Sequence, residues 1–422
     1  MARILMAWEL GGGMGHVVPL SQLAQVLIDR GHHIDFVLRD LAGACDGLGR
    51  LAKHPQVRLW QAPIWTAQLQ GQAPPCSYAE LLFHAGYLDD RRLLSLVQAW
   101  RNLFEAIKPQ LLLADHAPTA MLAARTQRAI ATAVIGTGFF IPPALAPMPS
   151  FREWERVDPA RLVQTEARAL ATCNAVLAQL DAAPLPALHQ LIAADEQFLL
   201  TWPELDHYGS SRNGSPGQAV ARYWGALPPV DQGGAAVWPD VAAGSSSLPE
   251  PAQRPRLFAY LKGEYGGVER VLQCLRDGPW LSLVHVTGLR PDMLQRFSHA
   301  NLAFSKGPVA MAQVLAQAQA VLCHAGSGTV CTALQGGLPV VMLPMHAEQL
   351  LFARRVSEAQ AGQYVLENEL GRQLPAVLSR ALTAGELRAG AQALAARHGA
   401  TPAGAVAMQV ALRCEVLMAT SG

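Results

Sequence analysis

The sequence predicts an α/β protein with two doubly wound parallel sheets, each in a domain of its own. The 422-residue chain is too long for one ordinary hydrophobic core. A strand, a Gly-rich turn, a helix and a second strand follow one another over 3–38, and again over 320–343. The stretch 225–255 between them is rich in Gly, Pro, Ser and Ala. Since strand–helix–strand units pair their strands in parallel, we expect two Rossmann-like domains facing a central cleft.

The change in composition sets the predicted domain boundaries. The first domain is expected over 1–227, a linker over 228–254 and the second domain over 255–400. For the final helix, within 401–422, packing on either domain is open, including a return to the first domain.

The elements of the first domain follow from hydrophobic runs and periodicity. Strands are expected at 3–8, 33–38, 57–60, 111–114, 131–135 and 197–201, and helices at 16–30, within 79–107, at 118–128 and through 151–195. The segment 61–79 is expected to be a surface loop. The segment 141–150 cannot be regular because it contains four prolines.

The second domain is expected to begin with a strand at 256–261 and to continue to about residue 395. Its central unit is an apolar strand at 320–323, a Gly-rich turn, a helix at 329–335 and a strand at 338–343. Such a unit places helix N–H groups at the carboxyl edge of the sheet, where they form an anion site, and phosphate is the usual anion.

Composition excludes several classes of function. The net charge of +1 gives no electrostatic footprint for nucleic acid or anionic lipid. Seven cysteines without C-x-x-C spacing argue against a disulfide framework and a zinc site. No apolar run reaches the roughly 18 residues that span a membrane, and no signal peptide is recognisable. We therefore expect a cytoplasmic protein without a metal or a transmembrane segment; its oligomeric state is open.

The first Gly-rich turn, Gly11 to Gly15, resembles a dinucleotide fingerprint but has His16 in place of the final glycine. Asp40 is only a weak candidate for a ribose-binding acid. Gly13 and Gly15 are therefore predicted to let a ligand approach the backbone next to His16.

His16 and Asp115 are predicted to form the catalytic pair. Each follows or ends a strand of the same sheet, so both side chains should lie at the same edge. A histidine held by a carboxylate is a general base suited to a hydroxyl near neutral pH. Two structural explanations remain open: a surface histidine at a helix start, and Asp115 as the N-cap of the helix after Pro118.

The second Gly-rich turn supplies a predicted phosphate cradle of His324, Gly326, Ser327, Gly328 and Thr329. The alternative is a tight turn with Ser327 or Thr329 as N-cap, which would still leave N–H groups pointing outward.

Three further polar residues are expected beside the cradle. Glu348 and Gln349 suit sugar hydroxyls, unless they are merely the first residues of a helix. Lys262 ends a strand and suits a pyrophosphate, unless it is a surface lysine before a turn. The chain contains no D-x-D motif, which disfavours a metal-chelated nucleotide sugar.

These motifs resemble those of family 1, UDP-glucuronosyltransferase-like glycosyltransferases. The segment HAGSGT, followed by GGLPVVMLP and HAEQ over 324–349, is similar to the donor signature of that family. The opening segment over 11–37, GGGMGHVVPLSQLAQVLIDRGHHIDFV, looks like the start of its acceptor domain. The resemblance covers both domains in the right order.

The resemblance implies a GT-B fold and an inverting, metal-independent hexosyltransferase of bacterial, natural-product type, with no cofactor beyond the nucleotide-sugar donor. It assigns His16 as base and Asp115 as its partner. It places His324, Gly328 and Thr329 on the diphosphate and Glu348 and Gln349 on the sugar. Base recognition is implied around Val309 and Met311.

Two places depart from the family pattern, and at one of them Lys262 and Gly263 occupy a turn that is usually small and hydroxylated. The family has Glu eight residues after the signature histidine, where this chain has Thr332. A single hydroxyl cannot replace a carboxylate that binds the ribose hydroxyls, so a UDP-sugar and a dTDP-sugar are both open as the donor. Binding of dTDP is weakened less by this change, because its deoxyribose has one hydroxyl fewer.

Three alternatives remain from the sequence: a MurG-like lipid-linked sugar transferase, a nucleotide-sugar epimerase and a catalytically silent nucleotide-binding accessory protein. The acceptor is expected to be a small molecule with an apolar surface. Five apolar residues suit such a pocket and suit a core equally well: Trp65, Phe139, Phe140, Ile141 and Met148.

Overall fold

The computed structural model describes residues 1–66, 71, 73–127, 130–213, 221–229, 233–240, 254–402 and 404–420. The chain forms two compact units, one of 1–227 together with 404–422 and one of 228–403. Each unit contains one six-stranded sheet in which every pair of neighbouring strands is parallel. The two predicted α/β sheets are therefore confirmed.

The sheet of the first unit has the order β3-β2-β1-β4-β5-β6. Its strands are β1 (Arg3–Trp8), β2 (His33–Leu38), β3 (Val57–Gln61), β4 (Leu111–Asp115), β5 (Ala131–Gly136) and β6 (Glu196–Leu199). The strands β1 and β4 lie side by side at the centre, where the strand order reverses. Ligands of open α/β sheets bind at such a switch point.

Helices cover both faces of this sheet. They are α1 (Met14–Asp29), α2 (Leu41–Leu48), α3 (Tyr78–Phe83), α4 (Asp90–Ile107), α5 (Pro118–Ala124), α6 (Pro159–Gln179) and α7 (Ser210–Asn213). The expected helices through 151–195 are wrong in part, since α6 is the single α-helix there and a 3-10 turn follows at Leu188–Ile192. Pro184 and Pro186 lack the N–H groups that a continuing helix needs.

The sheet of the second unit has the order β12-β11-β10-β7-β8-β9. Its strands are β7 (Arg256–Lys262), β8 (Leu281–Thr287), β9 (Leu302–Phe304), β10 (Ala320–Cys323), β11 (Val340–Met342) and β12 (Gly362–Tyr364). Its helices are α8 (Val268–Asp277), α9 (Pro291–Phe297), α10 (Met311–Gln317), α11 (Ser327–Gln335), α12 (Ala347–Glu358), α13 (Leu370–Thr383) and α14 (Gly385–His398). Here the switch point lies between β7 and β10.

The described part of the expected linker belongs to the second unit. Gly234 donates its N–H to Pro308 O at 2.9 Å and accepts from Ala310 N at 2.8 Å. A β-carbon on Gly233 would lie 2.1 Å from the carbonyl carbon of Val309, so only glycine permits this approach. The segment 233–240 is thus not a free linker, while 230–232 and 241–253 lie outside the described residues.

The last helix, α15 (Ala405–Thr420), packs in the first unit. Its buried Val406, Val410 and Leu417 join the core cluster that contains α1. Glu415 pairs with Arg30 at 2.7 Å. The sequence had left the position of this helix open. Within the described residues, no helix has the length and apolarity needed to cross a bilayer.

Candidate functional site

The ends of β1 and β4 bring His16 and Asp115 together. His16 lies in the first turn of α1, which follows β1, and Asp115 is the last residue of β4. His16 Nδ1 lies 3.0 Å from Asp115 Oδ1, and each residue is only 4% exposed. The explanation of His16 as a surface residue is therefore wrong.

Three neighbours fix the His16 ring. Trp8 stacks on it with centroids 5.2 Å apart, and Phe140 packs at 4.8 Å. Gly11, with φ +84°, brings its backbone so close that a β-carbon there would lie 2.6 Å from Nε2. Packing against rigid rings holds the imidazole in one orientation, with Nδ1 toward the carboxylate.

Burial raises the pKa of the Asp115 carboxyl above its ordinary value, and His16 acts in the opposite direction. A carboxylate in this setting favours the tautomer in which His16 carries its proton on Nδ1. The other ring nitrogen, Nε2, is then the one that accepts a proton.

Glu9, not Asp115, caps the helix that follows β4. Its carboxylate accepts the backbone N–H of Thr119 at 2.7 Å and the indole N–H of Trp100 at 3.1 Å. The N-cap position of α5 is Ala117, which leaves Asp115 outside the cap. The N-cap explanation of Asp115 is therefore wrong. Burial raises the pKa of Glu9 to about 7, against the lowering effect of these hydrogen bonds.

The predicted phosphate cradle has the geometry of an uncapped helix N-terminus. Ala325 has φ +56°, an uncommon left-handed conformation for a residue with a side chain. Gly326 is the N-cap of α11 and makes no side-chain cap, so neither Ser327 nor Thr329 caps the helix as the alternative required. Gly328 lies under Pro229, whose Cδ would be 3.0 Å from a β-carbon there.

His324 ties three strand ends together. Its Nδ1 lies 2.9 Å from Leu343 O, and its Nε2 accepts the N–H of Lys262 at 3.0 Å. Burial lowers the pKa of His324, so the neutral ring donates from Nδ1 and accepts at Nε2. The ring orients the cradle through the backbone, and its two nitrogens are already hydrogen-bonded within the protein.

The residues expected beside the cradle lie at the same edge of the sheet but belong to different elements. Lys262 ends β7 and lies 3.7 Å from Glu264. Glu348 lies in the first turn of α12, and the side chain of Gln349 accepts the N–H of Met345 at 2.8 Å. Desolvation, and after it Lys262, lower the pKa of His346, the residue that precedes α12.

The segment implied for base recognition is partly engaged by the chain itself. Val309 is buried, and the backbone groups on either side of it, Pro308 O and Ala310 N, are hydrogen-bonded to Gly234. Met311 begins α10. Thr332 donates its hydroxyl to Gly328 O at 2.7 Å, one turn earlier in α11. Asp40, the weak ribose candidate, instead caps α2 through Gly43 N.

On the acceptor side, Gly13 is the N-cap of α1 with φ +83°, and Gly15 lies in its first turn. A β-carbon would meet no atom within 4 Å at either glycine.

The five apolar residues proposed for a pocket fall into different places. Phe139 and Phe140 contact each other beside His16, with ring centroids 5.4 Å apart. Ile141 and Met148 belong to the hydrophobic core of the first unit. The guanidinium carbon of Arg92 lies 4.5 Å from the centroid of the Trp65 ring.

Residues 305–417 match a family described as the erythromycin biosynthesis protein CIII-like (EryCIII-like) C-terminal domain. Solved structures align over nearly the whole chain. The spinosyn rhamnosyltransferase SpnG has a TM-score of 0.62 at 18% identity, covering 98% of this chain and 100% of that one. The calicheamicin glycosyltransferase CalG4 has a TM-score of 0.67 at 17% identity, covering 99% and 98%. This chain has the GT-B fold and carries an EryCIII-like C-terminal domain.

Relatives that match by sequence do so over shorter stretches of this GT-B chain. The PGL/p-HBAD biosynthesis glycosyltransferase of Mycobacterium tuberculosis is 30% identical over 177 residues, which is 40% of this chain and 40% of that protein. The demethyllactenocin mycarosyltransferase of Streptomyces fradiae is 30% identical over 121 residues, 28% of this chain and 26% of that protein. The chain thus spans less than half the length of these relatives.

Sequence reasoning missed two features of this GT-B protein. One is the Glu9 cap; the glutamate directly after an apolar strand was its only signal. The other is His116, which follows Asp115 with φ +45° and is buried against Phe140 with centroids 4.3 Å apart. A histidine directly after the predicted partner of the base was a visible signal for it.

Proposed function

We propose that this protein is an inverting, metal-independent glycosyltransferase, which moves a sugar from a nucleoside diphosphate sugar to a hydroxyl of a small, largely apolar acceptor. The single observation that carries the proposal is the buried contact of 3.0 Å between His16 Nδ1 and Asp115 Oδ1 at the switch point of the first sheet. A buried His–carboxylate pair at a ligand-binding edge is a general base with a fixed tautomer.

The proposed reaction is one displacement. The acceptor oxygen gives its proton to His16 Nε2 and forms a bond to the anomeric carbon. The bond from that carbon to the diphosphate breaks, and its electron pair leaves with the diphosphate. Attack and departure on opposite faces of the carbon invert its configuration.

The second unit would hold the donor. The uncapped N-terminus of α11 presents N–H groups and the positive end of the helix dipole to a diphosphate. These donors meet the charge that develops on the leaving group without a metal ion. Of the described residues, no three His, Cys, Asp or Glu side chains form a group that could hold a metal. Metal independence remains part of the proposal.

For the nucleotide, we favour thymidine diphosphate over uridine diphosphate. Thr332 offers no carboxylate to the ribose, and its hydroxyl is already bonded to Gly328 O. A solved neighbour at 18% identity, SsfS6 from Streptomyces sp. SF2575, was crystallised with thymidine diphosphate. The spinosyn aglycone bound by another neighbour is an example of a small organic acceptor.

Calorimetric titration with dTDP, UDP and their glucose conjugates tests the donor half of the proposal. Release of nucleoside diphosphate in the presence of a panel of phenols and macrolide aglycones tests the transfer half. We expect binding of a dTDP compound in the micromolar range and acceptor-dependent release of dTDP. Failure to bind any of the four donor compounds would contradict the proposed function.

A further inference from the structure

His116 is a buried polar side chain beside the proposed base. It follows Asp115 directly, is 7% exposed, and its ring centroid lies 6.3 Å from that of His16. Within the described part of the chain, neither of its ring nitrogens has a hydrogen-bond partner. The backbone of Leu10 lies close enough to act toward raising the pKa of His116, and the Leu10 carbonyl already accepts from Trp8 Nε1 at 2.7 Å.

The backbone of His116 is held in an unfavourable conformation. Its φ of +45° lies in the left-handed region, and its carbonyl accepts the N–H of Leu10 at 3.1 Å. Left-handed backbone at a non-glycine residue is concentrated at functional sites, because the surrounding structure must enforce it. This backbone conformation fixes the direction of the Cα–Cβ bond that carries the imidazole.

Desolvation lowers the pKa of His116 well below its ordinary value, and His16 and Arg39 act in the same direction. The ring is therefore neutral at physiological pH, with one nitrogen that donates and one that accepts. A neutral imidazole suits a hydroxyl or a carbonyl oxygen and does not suit an anion.

Tyr78 adds a second polar group of the same kind. Its ring centroid lies 5.9 Å from that of His116, it is 1% exposed, and its hydroxyl has no hydrogen-bond partner among the described residues. Phe140 contacts both histidines, with ring centroids 4.3 Å from His116 and 4.8 Å from His16. Leaving such buried groups unpaired is unfavourable, and a hydrogen bond to a ligand oxygen would remove that penalty.

We infer that His116 is a specificity-determining residue that binds a second oxygen of the acceptor, with Tyr78 as its neighbour. The inference rests on the proposed function, because it concerns the acceptor bound at His16. Hydrogen bonds of about 2.8 Å from two rings at this separation reach two oxygens on neighbouring carbons or one carbon further apart. The preferred acceptor class is therefore a vicinal diol, a catechol or a β-hydroxy ketone.

Paired acceptors test the inference. Each pair shares the attacked hydroxyl and differs only in the neighbouring oxygen, as in catechol against phenol. We expect the wild-type kcat/KM to be about tenfold higher for the two-oxygen member, since one buried hydrogen bond is worth about that factor. In His116→Phe, which keeps ring size but removes both nitrogens, we expect this ratio to fall to about 1.

His189→Phe is the matched control. The Nδ1 of His189 is also buried without a hydrogen-bond partner among the described residues, but His189 lies in a 3-10 turn outside the ring cluster of His16, Phe140 and His116. We expect this variant to keep the wild-type ratio. Should His116→Phe fail to fold, Tyr78→Phe removes only one oxygen and is expected to reduce the ratio.

The outcomes separate the two proposals. Transfer with equal ratios in wild type and both folded variants would overturn the role of His116 and leave the proposed function intact. Absence of transfer to every acceptor, together with absence of donor binding, would overturn the proposed function and this inference with it.

Discussion

Gly11 lies directly against the proposed base: a β-carbon on Gly11 would be 2.6 Å from Nε2 of His16. Gly13, two residues later, has almost the same φ, +83° against +84°, but a β-carbon there would meet no atom within 4 Å. Comparing substitutions at the two glycines therefore distinguishes the effect of backbone strain from the effect of a contact with the base.

We predict that Gly13→Ala is destabilised by about 1–2 kcal/mol, because it forces an alanine into a positive-φ backbone, and that Gly11→Ala, whose methyl group also meets the His16 ring, is destabilised by at least as much. Turnover should fall further in Gly11→Ala than in Gly13→Ala, because only the methyl group on Gly11 displaces the His16 ring. Thermal unfolding and initial transfer rates measure the two effects. Equal loss of turnover in both variants would show that the contact with Nε2 is irrelevant.

Asp115→Asn is predicted to lower kcat by about 10²–10⁴-fold, because the amide cannot fix the tautomer of His16 or stabilise its protonated form. Donor affinity, measured by calorimetry, should stay near that of wild type. The control is Asp35→Asn in β2, where a buried carboxylate pairs with Arg3 at 3.0 Å and Arg58 at 2.7 Å. This control should lose stability but keep kcat in the folded fraction; a matching loss of kcat would reduce Asp115 to a structural role.

Glu9 is predicted to make stability depend on pH. Burial raises its pKa from 4.5 in the unfolded chain to about 7 in the folded protein. The folded state therefore binds this proton more tightly, so stability is gained as pH falls from 7 to 4.5 and lost as pH rises, by at most about 3 kcal/mol. In Glu9→Gln this contribution should vanish. Parallel pH profiles of the unfolding midpoint in the two proteins would contradict the assignment.

Thr332→Glu is predicted to shift nucleotide preference toward UDP. A carboxylate on α11 would accept hydrogen bonds from both ribose hydroxyls, and dTDP offers only one. Since a hydrogen bond to a charged group is worth about 1.5–3 kcal/mol, the ratio of the dTDP and UDP dissociation constants should change at least about tenfold. Thr332→Val, which removes the hydroxyl at similar size, should leave the ratio unchanged. An unaltered ratio in Thr332→Glu would exclude this position from ribose recognition.

The sequence was sufficient for what depends on local pattern and on the rules of parallel sheets. The strands 3–8 and 33–38 were located to the residue, because a buried apolar run bounded by glycine has few other solutions. The proximity of His16 and Asp115 followed from the shared edge of parallel strands, although 99 residues separate them.

The remainder depended on contacts that no local pattern encodes. The Glu9 cap joins the end of β1 to α5 across more than a hundred residues. Both ring nitrogens of His324 bond to backbone groups of other strands, which its place in a glycine-rich motif did not indicate. Gly233 and Gly234 lie against the backbone at Val309, whereas their composition alone is typical of a free linker.

The central claim is that His16 is the base of a sugar transfer. It is tested most directly by the kcat of His16→Ala with a donor and acceptor pair that the wild type converts, measured alongside donor affinity. We predict that kcat falls by at least about 10²-fold while the donor dissociation constant stays within about twofold. Turnover at the wild-type rate in the folded variant would contradict the account.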